Sequence, residues 1–116
     1  MKGTLTVIPA DARLDLRRLQ FDRPVTLEEL QAAIGGGYIE TVPYFNRYEG
    51  EPCHVFCNEE GKLKGLPVNT RATTVWWSGN RGGSDALCGD VIVVRGDRAF
   101  MRSLRCPATA FPRSPS

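Results

Sequence analysis

The sequence contains a single histidine and none of the short motifs that mark the common hydrolytic sites. It has no Gly-x-x-x-x-Gly-Lys-Ser/Thr loop, which excludes a P-loop nucleotide hydrolase. It also lacks a Gly-x-Ser-x-Gly elbow and a His-Glu-x-x-His pair, which excludes the enzymes built on them. His54 directly follows Cys53, and neighbouring side chains on a strand point to opposite faces, so these two would not form a catalytic dyad. We therefore expect a protein that is not an enzyme.

Long apolar runs are also absent. The opening stretch MKGTLTVIPAD has only a few consecutive apolar residues before Pro9 and Asp11, too few for a signal peptide or a membrane span. We therefore expect a cytoplasmic protein with no membrane partner. Its 116 residues, 41% hydrophobic and 24% charged, suit one soluble domain that can bury a core without disulfides.

Four cysteines are present, but their spacing does not favour a metal. On a strand, Cys53 and Cys57 of the stretch CHVFC would lie about 13 Å apart, too far to bind one zinc ion. His54 would face away from both, and Cys88 and Cys106 lie far off along the chain. We expect reduced thiols, no metal site and no cofactor.

Charge is distributed unevenly along the chain. Residues 95–116 contain five arginines and one acid, a net charge of +4, whereas the rest of the chain carries −2 and the total is +2. The segment PATAFPRSPS has little apolar content, so we predict a single domain over residues 1–106 followed by a disordered tail over residues 107–116. Basic ends of this kind are most often solvated, so nonspecific nucleic-acid binding through these arginines is the weakest alternative considered.

Local patterns in the first half predict two strands, a helix and a third strand. GTLTVI, which Pro9 ends, and the looser alternation in ARLDLRRLQF predict the first two strands. Thr26 and Glu29 form the signature of a capping box, and the run 35–37 of glycines ends the helix that they begin. YIETVPYF then predicts a strand near an edge or a bulge because it contains Pro43, and NRYEGEP predicts a loop.

The second half predicts a hairpin, a short helix, a buried strand and a last helix. HVFCN and KLKGLP would pair as strands around Glu59-Glu60-Gly61, with Gly61 supplying a positive φ. Asn69 would cap the helix TRATTVWW, GDVIVV would form the buried strand, and Asp97 would cap the helix RAFMRSLR. Together these elements predict an α+β fold: a single small domain with a mixed or antiparallel sheet and two or three short helices.

Three segments carry a resemblance to a known family. TLEELQAAIGGGYIETV, CNEEGKLKGLPVNTRAT and CGDVIVV occur in this order and together resemble a small phage-associated family, domain of unknown function 3846. The similarity runs from about Leu5 to Arg95, and its most specific parts are the Asn-Glu-Glu-Gly and Asn-x-x-Ala-Thr elements. The stretch CHVFC and the Trp76-Trp77 pair lie outside the pattern. The resemblance implies an origin in a bacteriophage or prophage, hence action in the cytoplasm of a bacterial host, and it implies no mechanism.

The segment that begins at Asn69 is the candidate binding site. A helix start offers free backbone N–H groups and positive potential to a phosphate, and Arg71 lies in the first turn. Trp76 and Trp77 are about 100° apart around the helix axis, so one could fill the core while the other stacks on a base. The glycine-rich loop that follows presents Arg81. The structural alternative is that the tryptophans fill the core and that Arg71 is solvated. The predicted ligand-binding residues are Asn69, Thr70, Arg71, Trp76, Trp77, Asn80 and Arg81.

The sequence and the resemblance together predict a phage or prophage accessory protein that binds and sequesters a nucleotide-like host defence signal without catalysis. The alternative is a protein–protein inhibitor or adaptor that engages a host factor through an edge strand and the basic tail. The expected partners are therefore a nucleotide-like small molecule or a host protein, and a homo-oligomer is compatible with either function.

Overall fold

Segments rich in β-branched and apolar residues form the inner strands of the sheet, and the computed structural model describes residues 1–79 and 85–105. Within these residues the strands are β1 (Gly3–Ile8), β2 (Arg17–Phe21), β3 (Ile39–Thr41), β4 (Arg47–Tyr48), β5 (Glu51–Pro52), β6 (His54–Asn58) and β7 (Val91–Gly96). The helices are α1 (Leu27–Ala33), α2 (Thr70–Gly79) and α3 (Arg98–Arg105). Five strands form one antiparallel sheet in the order β2-β1-β7-β6-β3, and β4 and β5 form a separate hairpin. The domain is α+β, as predicted, and of the two predicted sheet types it has the antiparallel one.

Both faces of the sheet are covered, because the central strand β7 is apolar on both. On one face Val93 packs in a cluster with Ala72 and Trp76 of α2. On the other face Val94 packs in a second cluster that includes Leu30 of α1 and Phe100 of α3. Helix α2 therefore lies on the opposite side of the sheet from the other two helices.

The helix ends follow the local signals in the sequence. The amide of Glu29 donates to Thr26 Oγ1 at 3.1 Å, and the amide of Thr26 donates to Glu29 Oε1 at 2.9 Å, so the predicted capping box is confirmed. The three glycines at 35–37 all have positive φ, from 87° to 97°, and they end α1 as predicted. Asp97 caps α3, because its Oδ1 accepts from the amide of Phe100 at 2.9 Å.

Two strand predictions were wrong in extent, and one predicted loop contains two short strands. The second strand occupies only the last part of ARLDLRRLQF, and the third ends at Thr41 instead of continuing to residue 45. Pro43 has no N–H for the ladder, and Tyr44 adopts a φ of 62°, which turns the chain away from the sheet. The predicted loop NRYEGEP contains the hairpin of β4 and β5, whose turn residues Glu49 and Gly50 both have positive φ, as two-residue hairpin turns require.

The predicted hairpin around residues 59–61 was also wrong. β6 forms as expected, but turns follow it and KLKGLP contains no strand. Gly61 lies outside the positive-φ region, and a Cβ at this position would stand 3.0 Å from the carbonyl oxygen of Cys88. Glycine is therefore favoured at position 61 because another backbone segment approaches it closely.

Two sets of predictions fall outside the described residues. One is the disordered tail over residues 107–116, and the other is the pair of loop residues Asn80 and Arg81. None of the helices in residues 1–79 and 85–105 is both long and apolar enough to cross a lipid bilayer.

Candidate functional site

Asn69 is fully buried and fastens the start of α2 to two neighbouring segments. Its Oδ1 accepts from the amide of Ala72 at 3.0 Å, which makes it the predicted N-cap. Its Nδ2 donates to the carbonyl of Ile8 at 2.7 Å and to that of Gly89 at 3.0 Å. The side-chain oxygen and nitrogen therefore both have partners within the protein.

Arg71 lies in the first turn of α2, as predicted, and its guanidinium binds backbone carbonyls. Nη1 donates to Leu14 at 2.8 Å, and Nη2 donates to Pro9 at 2.7 Å and to Asp11 at 2.9 Å. The side chain thus holds the segment between β1 and β2 against the helix. Thr70, the first residue of α2, is exposed beside it.

The two tryptophans at the end of α2 have different environments. Trp76 is only 4% exposed and packs in the core, and its Nε1 donates to the carbonyl of Pro43 at 2.9 Å. Trp77 is 47% exposed, and its Nε1 donates to the carbonyl of Asp85 at 2.8 Å. Trp77 is therefore the tryptophan available to solvent.

A cleft of about 160 Å³ opens beside Trp76. Residues from four parts of the chain line it: residues 40, 42 and 43, residues 57–59 and 61–63, Trp76 itself and residues 85–88. β3 and β6 bring the first two together, since Glu40 and Cys57 are partners in the ladder. Among the predicted ligand-binding residues that the structure describes, Trp76 alone lines this cleft.

Carboxylates outnumber cations in the lining. Glu40, Glu59 and Asp85 face one lysine, Lys62, which forms a salt bridge with Asp85. Hydrogen bonding in this pair lowers the pKa of Asp85 and raises that of Lys62. Burial raises the pKa of Glu40, although its hydrogen bond with the Cys57 thiol, at 3.7 Å, acts in the opposite direction. The cleft therefore favours hydrogen-bond donors and positive charge over anions.

The Cys57 thiol in the wall of the cleft is poorly suited to nucleophilic chemistry. Burial, reinforced by the neighbouring Glu40 carboxylate, raises its pKa to about 12. Burial likewise raises the pKa of Cys53, outside the cleft, to about 11. Since the thiolate is the reactive species, both cysteines are protonated and unreactive at neutral pH.

Three large, exposed apolar side chains line the cleft or adjoin its lining residues. Leu63 in the lining is 88% exposed, and Tyr44, next to the lining residue Pro43, is 62% exposed. Trp77, bonded to the carbonyl of Asp85, adds a third exposed apolar surface. Exposed apolar groups gathered around a concave site are typical of binding surfaces.

Comparison with known proteins shows the family to which the chain belongs. The sequence profile of a domain of unknown function, DUF3846, matches residues 2–105 of the chain. The chain belongs to this family. The match extends past Arg95 and so includes the first arginines of the basic segment as well as α3. Searches of the curated proteins and of the solved structures found no match.

The two elements most specific to the resemblance have distinct roles in this DUF3846 chain. In the Asn-x-x-Ala-Thr element, Thr73 Oγ1 accepts from the amide of Leu87 at 3.0 Å, and Asn69 binds the same segment through Gly89. This element therefore holds residues 87–89 against α2, and two of these residues, Leu87 and Cys88, line the cleft. In the Asn-Glu-Glu-Gly element, Asn58 Oδ1 accepts from the amide of Glu60 at 2.8 Å, and its Nδ2 donates to the carbonyl of Gly36 at 3.3 Å.

The Asn-Glu-Glu-Gly turn supplies cleft residues that the sequence analysis assigned to turn geometry alone. Glu59 and Gly61 line the cleft, whereas Glu60 does not and lies 3.6 Å from Lys64. One sequence signal could have pointed to this role in the cleft: the Asn-Glu-Glu-Gly element is one of the two most specific parts of the family resemblance. Across the described part of this DUF3846 chain, no three His, Cys, Asp or Glu side chains are grouped so that they could hold a metal ion.

Proposed function

We propose that this DUF3846 protein is a phage or prophage accessory protein that binds and sequesters a nucleotide-like host defence signal without altering it chemically. In this proposal the cleft beside Trp76 holds the base of the signal. The observation that carries the proposal is a ring-sized cleft that combines an aromatic wall, Trp76, with the carboxyl groups of Glu40 and Glu59.

The size of the cleft supports a ligand that inserts one ring system. A cavity of about 150 Å³ is known to hold a benzene molecule, so the cleft of about 160 Å³ matches a planar ring and not a whole nucleotide. The sugar and the phosphates of a nucleotide would then remain outside, near the exposed Leu63 and Trp77.

The charge of the cleft supports a base more than a phosphate. Nucleobases carry amino and ring N–H donors, which suit the carboxyl oxygens of Glu40 and Glu59. A phosphate in the same place would be repelled by these groups. We therefore assign the ligand to the cleft near the end of α2. The start of the helix was the site predicted from the sequence, but there Asn69 and Arg71 bind the protein's own backbone.

Binding without chemistry is supported by the state of Cys57, one of the two cysteines that line the cleft. The Cys57 thiol, with a pKa of about 12, is protonated at neutral pH. A protein that sequesters a signal needs affinity but no catalysis. The link to phage rests on the family resemblance described above.

The proposal is tested by titration calorimetry with a panel of cyclic and linear nucleotides and the matching nucleosides. We expect at least one base to bind, with the nucleoside within about fivefold of its nucleotide because the phosphates make few contacts, a difference of roughly 1 kcal/mol. Ligand recovered after binding should be chemically unchanged.

A pair of variants separates the cleft from its surroundings. Glu40→Gln keeps the shape of a lining residue but removes a charged acceptor, and it should weaken binding about tenfold or more. Glu60→Gln makes the same change at the residue that follows Glu59 but does not line the cleft, and it should leave the affinity for the ligand unchanged. Equal affinity of the two variants, loss of binding when the phosphate is removed, or turnover of the ligand would each contradict the proposal.

A further inference from the structure

The sheet has one edge that is long and exposed. β2 forms the end of the sheet, pairs only with β1, and has four exposed residues followed by the half-buried Phe21. In the part of the chain that the structure describes, no hydrogen bond involves the outer backbone edge of β2. The opposite edge, β3, has only three residues and is followed closely by Pro43, a pattern that blocks further pairing.

The pairing of β1 shows which groups of β2 point outward. The amide of Asp97 donates to the carbonyl of Lys2 at 2.9 Å across β7 and β1, so even-numbered residues of β1 direct their backbone groups toward β7. Odd-numbered residues of β1, including Leu5, therefore bond to β2, and the partner of Leu5 is Leu19. It follows that Arg18 and Gln20 direct their N–H and C=O groups away from the sheet.

These outward groups limit how two identical β2 strands could pair in antiparallel fashion. If Leu19 of one strand lies opposite Leu19 of the other, then Arg18 lies opposite Gln20. The outward N–H and C=O groups of the two strands then face each other and can form hydrogen bonds. A shift in one direction places Arg18 opposite Arg18. A shift in the other places Arg17 opposite Arg23, although it also places Arg18 opposite Asp22. Like charges directly opposite each other destabilise a sheet, and of these three registers the one centred on Leu19 has no like-charge pair, so it is preferred.

We propose that a second copy of this chain docks on β2 in this register, forming a continuous ten-stranded sheet across a two-fold axis. The strand is complementary to itself, which fits the closed two-fold symmetry that most homo-oligomers adopt. The two copies of Leu19, each 45% exposed in the single chain, meet at a pair without hydrogen bonds, where side chains approach most closely.

The small size of this interface makes the dimer weak. A five-residue strand buries less surface than the roughly 1,200–2,000 Å² of a standard stable interface. The dimer should therefore appear as a reversible, concentration-dependent equilibrium. The inference does not rest on the cleft, whose lining residues belong to other segments.

Sedimentation equilibrium over a wide range of protein concentration tests the proposal, with two substitutions of opposite effect. Gln20→Glu places a carboxylate opposite Arg18 twice in each dimer, and it should tighten association by about twofold to thirtyfold. Leu19→Arg places two cations opposite each other and should give a monomer. Val68→Arg adds the same charge at an exposed site outside β2, and its dimer should match that of the wild type.

Thermal melts first establish that each variant is folded. Hydrogen exchange then follows the amides of Arg18 and Gln20, which should become protected as the wild-type protein is concentrated. A wild-type mass that stays monomeric, or a dimer that Leu19→Arg leaves intact, overturns the proposal. A monomer whose β2 amides are protected only by an added acidic peptide would assign the edge to a foreign strand and would also overturn it.

Discussion

Replacing Asn69 distinguishes a structural residue from a ligand contact. Asn69→Ala removes the cap of α2, which costs about 1 kcal/mol, and leaves the carbonyls of Ile8 and Gly89 without their donor. Each buried carbonyl that loses its partner costs about 1–3 kcal/mol. The free energy of unfolding should therefore fall by roughly 3–7 kcal/mol, a large part of the about 5–15 kcal/mol typical of a domain.

Urea unfolding, followed by circular dichroism, measures this loss. Asn69→Ser keeps an oxygen that can cap the helix but lacks the amide donors, so it should recover only about 1 kcal/mol. Thr74→Ala, at an exposed position of the same helix, should change stability by less than about 0.5 kcal/mol. If Asn69→Ala costs less than about 1 kcal/mol, the hydrogen bonds described here do not stabilise the fold. If it lowers ligand affinity while stability is retained, Asn69 is a ligand contact.

Three further predictions concern pH, thiols and the tail. Hydrogen bonding with Arg23 holds the pKa of Glu29 at about 2, below its usual 4.5, so the stability it contributes is complete above pH 4.5 and is lost as the pH falls toward 2. Urea unfolding of Glu29→Gln at a series of pH values should lack this part of the pH dependence, and an unchanged profile would contradict the assignment. Cys53 and Cys57, with pKa values of about 11 and 12, should be alkylated far more slowly in the native protein than after unfolding. Peptide mass spectrometry measures this, and fast native labelling of Cys57 would show that the cleft wall is open. Removal of residues 107–116 should leave the melting temperature nearly unchanged, and a drop of many degrees would show that this segment packs on the domain.

The features that the sequence predicted correctly depend on local geometry. The capping box of Thr26 and Glu29, the cap at Asp97 and the glycines at 35–37 each act within a few residues, and each forms as expected. The hairpin turn at Glu49 was missed because its first positive-φ residue is a glutamate, where Asn or Gly is the usual signal.

The candidate site could not be predicted in the same way, because it depends on strand register. Glu40 meets Cys57 only through the pairing of β3 with β6, and Cys88, from a distant part of the chain, lines the same cleft. No local pattern specifies these contacts. The sequence correctly placed Asn69 and Arg71 at the start of α2, but it could not show that the side-chain amide of Asn69 and both Nη atoms of Arg71 donate to the chain's own carbonyls. Whether these residues also contact a ligand stays a prediction.

Amide chemical-shift mapping by NMR tests the central claim most directly, because it locates the ligand without assuming its affinity. A nucleoside that binds in the calorimetric panel is titrated into labelled protein, followed by its monophosphate. We predict that both ligands shift the same amides, those of Glu40, of residues 57–62 and of residues 86–88. The contrary result is a set of shifts confined to Thr70 and Arg71 that appears only with the phosphate, which would place the ligand at the start of α2 and refute the cleft.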